Sequence, residues 1–369
     1  MKLKSIVKLF LPPILISVLN FFKKGKASKQ REKYTEKIIA YNYYVDLMER
    51  KKISFTNIER LSKDYTFEQL NSITIENDEV NYYGGFFTLN RYCDSDFPNF
   101  APVNFSIQHG VIFFLENWEL GKAKIANLVW SEKISKLYKT QLKTNNVYAI
   151  GSPFFYAKSL LSADQIAKEK NRLGRNLLAF PMHSTHWIIN EYNPNGFIEI
   201  LKEQRKKFDS VRVCLYWKDI QMGMADPFLQ AGFECVTCGH IYDQFFLQRQ
   251  KTLFEIADAT ISNRIGSQAG YSIFMNKPHW IVPDSFEIKN GGNLKLYKDS
   301  LECASKLNEY GFVTEAFMNN QDYQITERQR QILDDFWGVS SIKSKEELAD
   351  LIAKFYVKKN DGEVVGGGR

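Results

Sequence analysis

Cysteine is scarce in this sequence, and its distribution gives no disulfide framework. The chain has an odd number of cysteines scattered through apolar surroundings: Cys93, Cys214, Cys235, Cys238 and Cys303. Cys235 and Cys238 form one CxxC pair, but the second pair that a four-cysteine zinc site needs is missing. The pattern favours buried thiols in a reducing cytoplasm over a metal site or a redox pair.

Several short motifs of nucleotide and catalytic chemistry are also missing. The sequence has no GxSxG elbow, no P-loop lysine motif and no complete GxGxxG. These absences argue against the usual α/β-hydrolase, NTPase and dinucleotide-binding proteins. The histidines show no metal-ligand spacing, so no metal is expected. The net charge of +7 is spread along the chain without an RNA-binding or zinc-finger motif, and nucleic acid is therefore not an expected partner.

The N-terminus lacks an apolar run long enough to span a membrane. Leu9 to Phe22 is apolar and bracketed by lysines, but Pro12-Pro13 interrupts it and it is shorter than the ~20 residues of a spanning helix. No small-residue cleavage site follows, which argues against a signal peptide. We predict that residues 1–26 dock on an anionic membrane surface; the alternative is a helix packed on the protein's own body.

The bulk composition predicts a folded protein of two domains. The chain has 369 residues, of which 44% are apolar and 14% aromatic, enough for two cores. We divide it into the membrane-surface segment 1–26, an N-terminal lobe at 27–152, a C-terminal lobe at 153–340, and a C-terminal helix with a flexible tail at 341–369. The helix SKEELADLIAKFYVKK is expected either to pack against the first lobe or to stand as a terminal amphipathic helix.

Strand-like and helix-like segments alternate through most of the chain. After a helical pattern from Ser28 to about Asp64, β-rich runs are predicted at Asn71 to Ile75, Val80 to Leu89 and Val103 to Ile107. The later strands are predicted in IANLVW, NNVYAI, NLLAF, VRVCLYW, ECVTC, ATISN and HWIVP, and most of the segments between them have helical periodicity. This alternation predicts an α/β fold with parallel sheets and helices on both faces.

Polar clusters follow these strands where each one ends. Four of the five histidines lie just after an apolar strand: His109, His183, His186 and His240. Glycine and serine accompany them, as in Gly151-Ser152 and Gly266-Ser267. Because the carboxyl ends of parallel strands share one edge of a sheet, the set predicts a common ligand cleft, although a single histidine in such a place is commonly structural.

Five sequence pieces, taken in order, resemble a known family. They are IQHG (107–110), IGSPFFY (150–156), FPMHS (180–184), CGHIYD (238–243) and ADATISNRIGSQAGYSIFMNKP (257–278). The chain from about residue 104 to 283 resembles glycosyltransferases with two Rossmann-like lobes and an inter-lobe cleft, the GT-B class. It is similar in pattern to bacterial transferases of capsule, O-antigen and lipopolysaccharide synthesis of the Kdo-, sialic-acid- and glycerophospho-transferring types. The glycine-rich N-terminal loop of some members is missing.

The resemblance implies a donor site at the last of these pieces, where a helix begins. A helix N-terminus carries partial positive charge, and small residues let backbone amides approach a phosphate. The implied donor-binding residues are Ser262, Asn263, Gly266 and Ser267 at the phosphates, with Arg264, His183 and Ser184 beside them and Gly239 and His240 near the nucleoside. Taken alone, SNRIGS is equally typical of a turn with a helix cap.

Transfer of a sugar needs a base for the acceptor hydroxyl, and His109 is the first candidate, with Asp94, Asp96 and Glu116 as rivals. A structural or donor-contacting role for His109 is the alternative. The implied function is metal- and cofactor-independent transfer from a CMP- or UDP-linked sugar to a lipid-linked or glycan acceptor, peripheral on the inner face of the cytoplasmic membrane. The alternatives are a nucleotide-sugar epimerase or hydrolase, or a non-catalytic polysaccharide assembly protein.

Overall fold

A computed structural model of the protein describes residues 49–64, 78–94, 103–113, 126–184, 193–282, 308–318 and 323–355. The described residues from Arg50 onward belong to one compact unit. Several predicted features lie outside the described residues: the segment 1–26, the strand at 71–75, Asp96, Glu116, His186 and Cys303. Within the described ranges, no helix is long and apolar enough to cross a membrane.

The first sheet has three parallel strands in the order β1-β2-β3. They are β1 (Phe105–Ile107), β2 (Ala126–Val129) and β3 (Val147–Ala149). Ile107 pairs with Leu128, and Leu128 pairs with Tyr148. Helix α3 (Glu132–Leu142) connects β2 to β3 and begins where the Ser131 hydroxyl accepts a hydrogen bond from the Ile134 N–H. A serine at this position satisfies a helix N–H that has no partner inside the helix.

Helices from both ends of the chain cover the first sheet. A 3₁₀-helix (Asp78–Gly84) runs into α2 (Gly85–Tyr92), and α13 (Lys345–Lys354) returns from the C-terminus. Most of the buried side chains of this core come from α2, β1, β2 and α13; they include Phe86, Leu89, Phe105, Leu128, Leu348 and Ile352. The C-terminal helix therefore packs against the first sheet. Of its two expected placements, this is the one against the first lobe.

The second sheet has five parallel strands in the order β6-β5-β4-β7-β8. The strands are β4 (Asn176–Phe180), β5 (Ser210–Cys214), β6 (Glu234–Val236), β7 (Ala259–Ser262) and β8 (His279–Ile281). The chain moves outward from β4 to β6, then returns to the other side of β4 to form β7 and β8. This reversal creates a topological switch point between β4 and β7, the place where open parallel sheets bind ligands.

The remaining helices connect these strands or close the C-terminal part of the chain. A short segment at Ile58–Ser62 forms α1, and Pro153–Tyr156 forms α4 between the two sheets. The others are α5 (Ala163–Leu173), α6 (Asn195–Gln204), α7 (Trp217–Gln221), α8 (Asp226–Gln230), α9 (Phe246–Ile256), α10 (Ser267–Phe274), α11 (Asn308–Phe317) and α12 (Glu327–Trp337).

Helix α10 packs closely against α12. A Cβ atom added at Gly270 would overlap the Trp337 ring, which is fully buried. Tyr271 of the same helix stacks on Phe154 of α4, with ring centroids 4.1 Å apart, and its hydroxyl accepts a hydrogen bond from the Ser152 hydroxyl. The first contact holds α10 against α12, and the second fixes its position relative to the connection between the sheets.

The predicted α/β class with parallel sheets is confirmed, and one predicted strand is wrong. Val80 to Leu89, which the aromatic and β-branched composition favours as a strand, forms the end of the 3₁₀-helix and most of α2. Gly84 has φ of 68°, which interrupts an extended backbone in the middle of this segment. The helix after it is favoured because it buries Phe86 and Leu89 against β1. Tertiary packing outweighs the local preference here.

Candidate functional site

The turn after β1 is built around the buried side chain of Gln108. Its Oε1 accepts a hydrogen bond from the Trp130 N–H at 2.9 Å, and its Nε2 donates to the Gly110 carbonyl at 2.8 Å. The Trp130 indole N–H donates to the Gln108 carbonyl at 2.8 Å. Because these bonds satisfy the polar groups on both sides of His109, they hold the backbone that positions its imidazole.

His109 is half-buried between tyrosine rings. Its ring lies edge-on to Tyr82, with centroids 5.3 Å apart, and 6.3 Å from the ring of Tyr83. Burial lowers the pKa of His109 to about 4, so the imidazole is neutral at pH 7. No group among the described residues hydrogen-bonds to this ring. Within the described ranges, the neutral imidazole therefore has a nitrogen lone pair that accepts no hydrogen bond.

The His109 turn touches the start of α10. The Val111 N–H donates to the Ser267 hydroxyl at 3.1 Å, joining the end of β1 to the first residue of α10. The Trp337 indole N–H donates to the Ser267 carbonyl at 3.0 Å and holds the same residue from the other side. The turn that carries His109 is therefore in contact with the start of α10, where the phosphates are predicted to bind.

The N-terminus of α10 has no side-chain cap. Gly266 occupies the cap position and has no side chain to bond the first helix N–H groups. The Gln268 amide turns back and donates to the Arg264 carbonyl at 3.1 Å. First-turn N–H groups without an internal partner carry the positive end of the helix dipole. A bound anion could accept hydrogen bonds from these N–H groups.

Asn263 links the two strand ends at the switch point. Its Oδ1 accepts a hydrogen bond from the Met182 N–H at 2.6 Å, and both residues are buried. Arg264 is half-buried and lies with Nη1 3.2 Å from the Met182 sulfur. The Ser262 hydroxyl is fully buried, donates to the Arg264 carbonyl at 2.7 Å and lies 3.1 Å from His279 Nε2. Ser262 and Asn263 therefore shape this edge, and Arg264 is the partly exposed side chain among the three.

His183 and Ser184 follow β4 and face different ways. The exposed His183 ring lies 4.7 Å from the ring of Tyr216, and its Nδ1 is 2.7 Å from the Ser184 carbonyl. Ser184 is fully buried, and its N–H donates to both oxygens of Asp219, at 2.9 and 3.2 Å. Burial raises the pKa of the Asp219 carboxyl, and the nearby His183 opposes that shift. Of this pair, His183 is the exposed residue.

Gly239 and His240, predicted near a nucleoside, are buried under residues 55–64. Thr237 N–H donates to the Phe55 carbonyl, and His240 N–H donates to the Leu61 carbonyl, both at 3.0 Å. Gly239 has φ of 103° and packs against the buried ion pair of Asp243 and Arg249, whose charged atoms are 2.8 Å apart. Both residues have clear packing roles, and contact with a nucleoside stays a prediction.

Asp94 lies away from the His109 turn. Its carboxylate is exposed and forms an ion pair with Lys345 of α13, and that hydrogen bond lowers the pKa of the Asp94 carboxyl. The described residues show no hydrogen bond, ion pair or ring contact between Asp94 and the groups around His109. Asp96 and Glu116, the other carboxylate rivals, lie outside the described residues.

Sequence reasoning missed the aromatic residues that bring these histidines together. A closed series of neighbouring rings, here called the aromatic collar, has centroids 4.0 to 6.5 Å apart. Its members are His109, Tyr82, Tyr83, Tyr216, Trp217, His240 and Tyr242. The dipeptides Tyr82-Tyr83 and Tyr216-Trp217 are visible in the sequence, but nothing in their spacing places them next to His109. The collar unites the ends of β1, β5 and β6.

No protein-family model matches the sequence, and no curated protein matches it. Similar solved structures include the wall teichoic acid polymerase TagF, with 11% identity over 69% of this chain and 68% of that chain and a TM-score of 0.41. Another is E. coli ADP-heptose lps heptosyltransferase II, with 11% identity over 54% and 81% and a TM-score of 0.27. A third is S. aureus MnaA in a co-structure with UDP, with 8% identity over 71% and 73% and a TM-score of 0.29.

Proposed function

We propose that the protein is a glycosyltransferase of the GT-B type that moves a sugar from a nucleotide-sugar donor, CMP- or UDP-linked, to a lipid-linked or glycan acceptor. The observation that carries the proposal is the 3.1 Å hydrogen bond from Val111 N–H to the Ser267 hydroxyl. It joins the turn that bears a neutral histidine to a helix N-terminus without a side-chain cap. A base candidate and an anion site in contact are what transfer from a phosphate-linked donor needs.

The donor phosphates bind at the start of α10, beside the switch point between β4 and β7. The first-turn N–H groups and the Ser267 hydroxyl donate to phosphate oxygens, and Arg264 adds positive charge from the preceding loop. These groups offset the negative charge that develops on the leaving nucleotide, in place of a metal ion. Asn263 acts indirectly, because it holds the Met182 N–H and so the loop after β4.

His109 is the base on the acceptor side. Its neutral imidazole accepts the proton of an acceptor hydroxyl while that oxygen forms a bond to the anomeric carbon of the donor sugar. The bond between that carbon and the phosphate oxygen breaks at the same time, and its electron pair leaves with the nucleotide. Because burial lowers the pKa of His109 to about 4, the imidazole is unprotonated throughout the neutral range, and the same shift makes it a weaker base than an exposed imidazole.

Attachment to a membrane is the second part of the proposal. Residues 1–26 have an apolar stretch bracketed by lysines, which suits the surface of an anionic bilayer, where lipid-linked acceptors are found. Deletion of residues 1–26 should reduce co-sedimentation with vesicles containing anionic lipid and leave the melting temperature of the rest unchanged. Equal sedimentation of the shortened and full chains would remove this part alone.

The central experiment is a melting-temperature screen against CMP- and UDP-sugars, followed by product analysis. A donor that binds the folded protein at 100 times its Kd stabilises it by ~2.7 kcal/mol, which a thermal shift assay detects. No shift with any nucleotide would overturn the proposal. Release of free sugar, or its conversion to an epimer, without an acceptor would favour a hydrolase or an epimerase instead. Binding without any turnover, unaffected by His109→Gln, would favour a non-catalytic assembly protein.

A further inference from the structure

The turn that carries Tyr82 and Tyr83 is strained. Tyr83 has φ of 58° and ψ of 17°, in the left-handed region that a bulky residue rarely adopts. Its N–H donates to the Ile241 carbonyl at 2.6 Å, and its ring packs on Phe246 with centroids 4.8 Å apart. The next residue, Gly84, lies so close to the Gln244 backbone that no Cβ fits. Such strain persists only where surrounding contacts impose it, and it is concentrated at functional sites.

The strained turn presents a hydroxyl to the second lobe. Tyr83 OH lies 3.4 Å from Tyr216 OH, and Tyr216 directly precedes α7 after the end of β5. Burial raises the pKa of both tyrosines, so both hydroxyls keep their protons at neutral pH. A separation of 3.4 Å is long for a bond between hydroxyls, which is usually 2.5–3.0 Å. The pair therefore loses little when its two hydroxyls turn toward a ligand.

The collar around this pair suits an uncharged ligand rich in hydroxyl groups. Tyr82, Tyr83, His109 and Tyr216 are half-buried, so each residue keeps some surface that a ligand can contact. No member of the collar is an acid, a lysine or an arginine. The charged groups that contact its rings are of opposite sign: Lys218 Nζ lies 5.4 Å from the Trp217 ring centroid, and Asp64 Oδ1 lies 3.4 Å from His240 Nε2. Aromatic faces pack against C–H groups, and tyrosine hydroxyls supply hydrogen bonds at the edge of such a surface. A carboxylate placed against these rings would lose hydration without gaining a fixed positive partner from the collar.

We propose that the hydroxyls of Tyr83 and Tyr216 form a subsite for the accepting group, and that this group is a neutral sugar or alditol. The subsite rests on the proposed function, because it places an acceptor hydroxyl beside His109. Tyr83 and Tyr216 each exchange their mutual contact for a hydrogen bond to the ligand. Since one tyrosine comes from each lobe, the acceptor is bound only where the two lobes meet. The two residues thus determine acceptor specificity.

Three variants test the subsite directly in the full chain. Tyr83→Phe, Tyr216→Phe and the double variant remove hydroxyls and keep the rings. Tyr148→Phe is the matched control, because its hydroxyl lies 3.3 Å from the Lys354 amine, outside the collar. Saturation-transfer NMR with methyl glucoside, ribitol and glucuronate measures which probes bind. Near-UV circular dichroism checks that each variant is folded.

The expected result is saturation transfer to the two neutral probes and little to glucuronate. Each single variant should weaken neutral-probe binding about fivefold to tenfold, the loss of roughly one hydrogen bond, and Tyr148→Phe should not change it. The double variant should lose less than the product of the two single effects, because the hydroxyls act on one ligand. No transfer from the wild type, a preference for glucuronate, or binding of the neutral probes by the double variant as strong as that of the wild type would overturn the inference.

A parallel nucleotide measurement separates this inference from the proposed function. The nucleotide-induced thermal shift should be the same in the wild type, Tyr83→Phe and Tyr216→Phe, because the phosphates bind at α10. If no nucleotide shifts the wild type, the proposed function fails. If a nucleotide binds and the neutral probes do not, the donor site stands and the acceptor subsite alone fails.

Discussion

Replacement of Asn263 tests whether the edge between β4 and β7 holds the donor. In Asn263→Ala, the buried Met182 N–H loses the acceptor that now lies 2.6 Å away. A buried N–H without an acceptor costs about 1–3 kcal/mol. With ~2.1 cal/mol/K of unfolding entropy per residue, each kcal/mol lowers the melting temperature of a chain of 369 residues by roughly 1–2 °C, so we expect a decrease of roughly 1–6 °C. Asn195→Ala, at an exposed position, is the matched control and should change the melting temperature little.

The same substitution should weaken nucleotide binding. Without the Asn263 contact, the loop of Met182 and His183 loses its fixed conformation, and donor binding must restore it. Fixing the backbone of one residue costs ~1–2 kcal/mol, and this cost is subtracted from the binding free energy. We therefore expect a nucleotide Kd about tenfold weaker, since ~1.4 kcal/mol is a factor of ten. Asn263→Asp provides the second comparison, because it keeps an oxygen for the Met182 N–H but adds negative charge near the phosphates. It should weaken nucleotide binding even where stability is retained.

The assays are differential scanning fluorimetry for stability and isothermal titration calorimetry for the nucleotide Kd. A melting temperature of Asn263→Ala equal to that of the wild type would refute the role of the Met182 bond. A lower melting temperature with an unchanged nucleotide Kd, in both Asn263→Ala and Asn263→Asp, would refute the position of the donor site. The second outcome would leave Asn263 as a structural residue only.

Three other substitutions give distinct results. His109→Gln should reduce transfer by about 10²- to 10⁴-fold in a product-formation assay while nucleotide binding is kept; full activity would exclude His109 as the base. Burial lowers the pKa of His279 to about 3, so the stability that the neutral side chain contributes is complete above pH 6.5 and is lost as the pH falls from 6.5 towards 3. The melting temperature of His279→Gln should therefore depend less on pH in that range than that of the wild type. Equal pH profiles of the two proteins would contradict this. Gly270→Ala should cost about 1–3 kcal/mol of unfolding free energy, because its Cβ overlaps the Trp337 ring, whereas Gly110→Ala, with nothing within 4 Å, should unfold like the wild type.

The second sheet was predictable from the sequence because its strands are short apolar runs between helices with clear periodicity. Asn176–Phe180 and Ala259–Ser262 are buried throughout or nearly so, which is typical of central parallel strands. The capping residues are equally local: Ser162 begins α5 with a capping box that reads directly from Ser-x-x-Gln. Local chemistry was sufficient for these elements.

The aromatic collar was not predictable, because no local rule brings its members together. Tyr82 and Tyr83 lie in a run whose composition favours a strand, and their turn depends on contacts with Ile241 and Gln244, more than 150 residues later. Tyr216 ends an apolar segment and looks like part of β5. The functional interest of Tyr83 comes from its backbone angles and its neighbours, and neither is encoded in short-range spacing.

The start of α10 and the burial of Gly239 favour the same place for a donor. The edge of β6 is covered by Phe55 and Leu61, whose carbonyls accept the N–H groups of Thr237 and His240. The crevice between β4 and β7, by contrast, ends in the exposed His183 and the uncapped start of α10. We therefore expect a ligand with phosphate charge to bind at the switch point, where helix N–H groups stabilise its charge, and not at β6. If this is correct, the Asn263 variants change nucleotide affinity, whereas changes at Gly239 act through the packing of Asp243 against Arg249 and alter stability first.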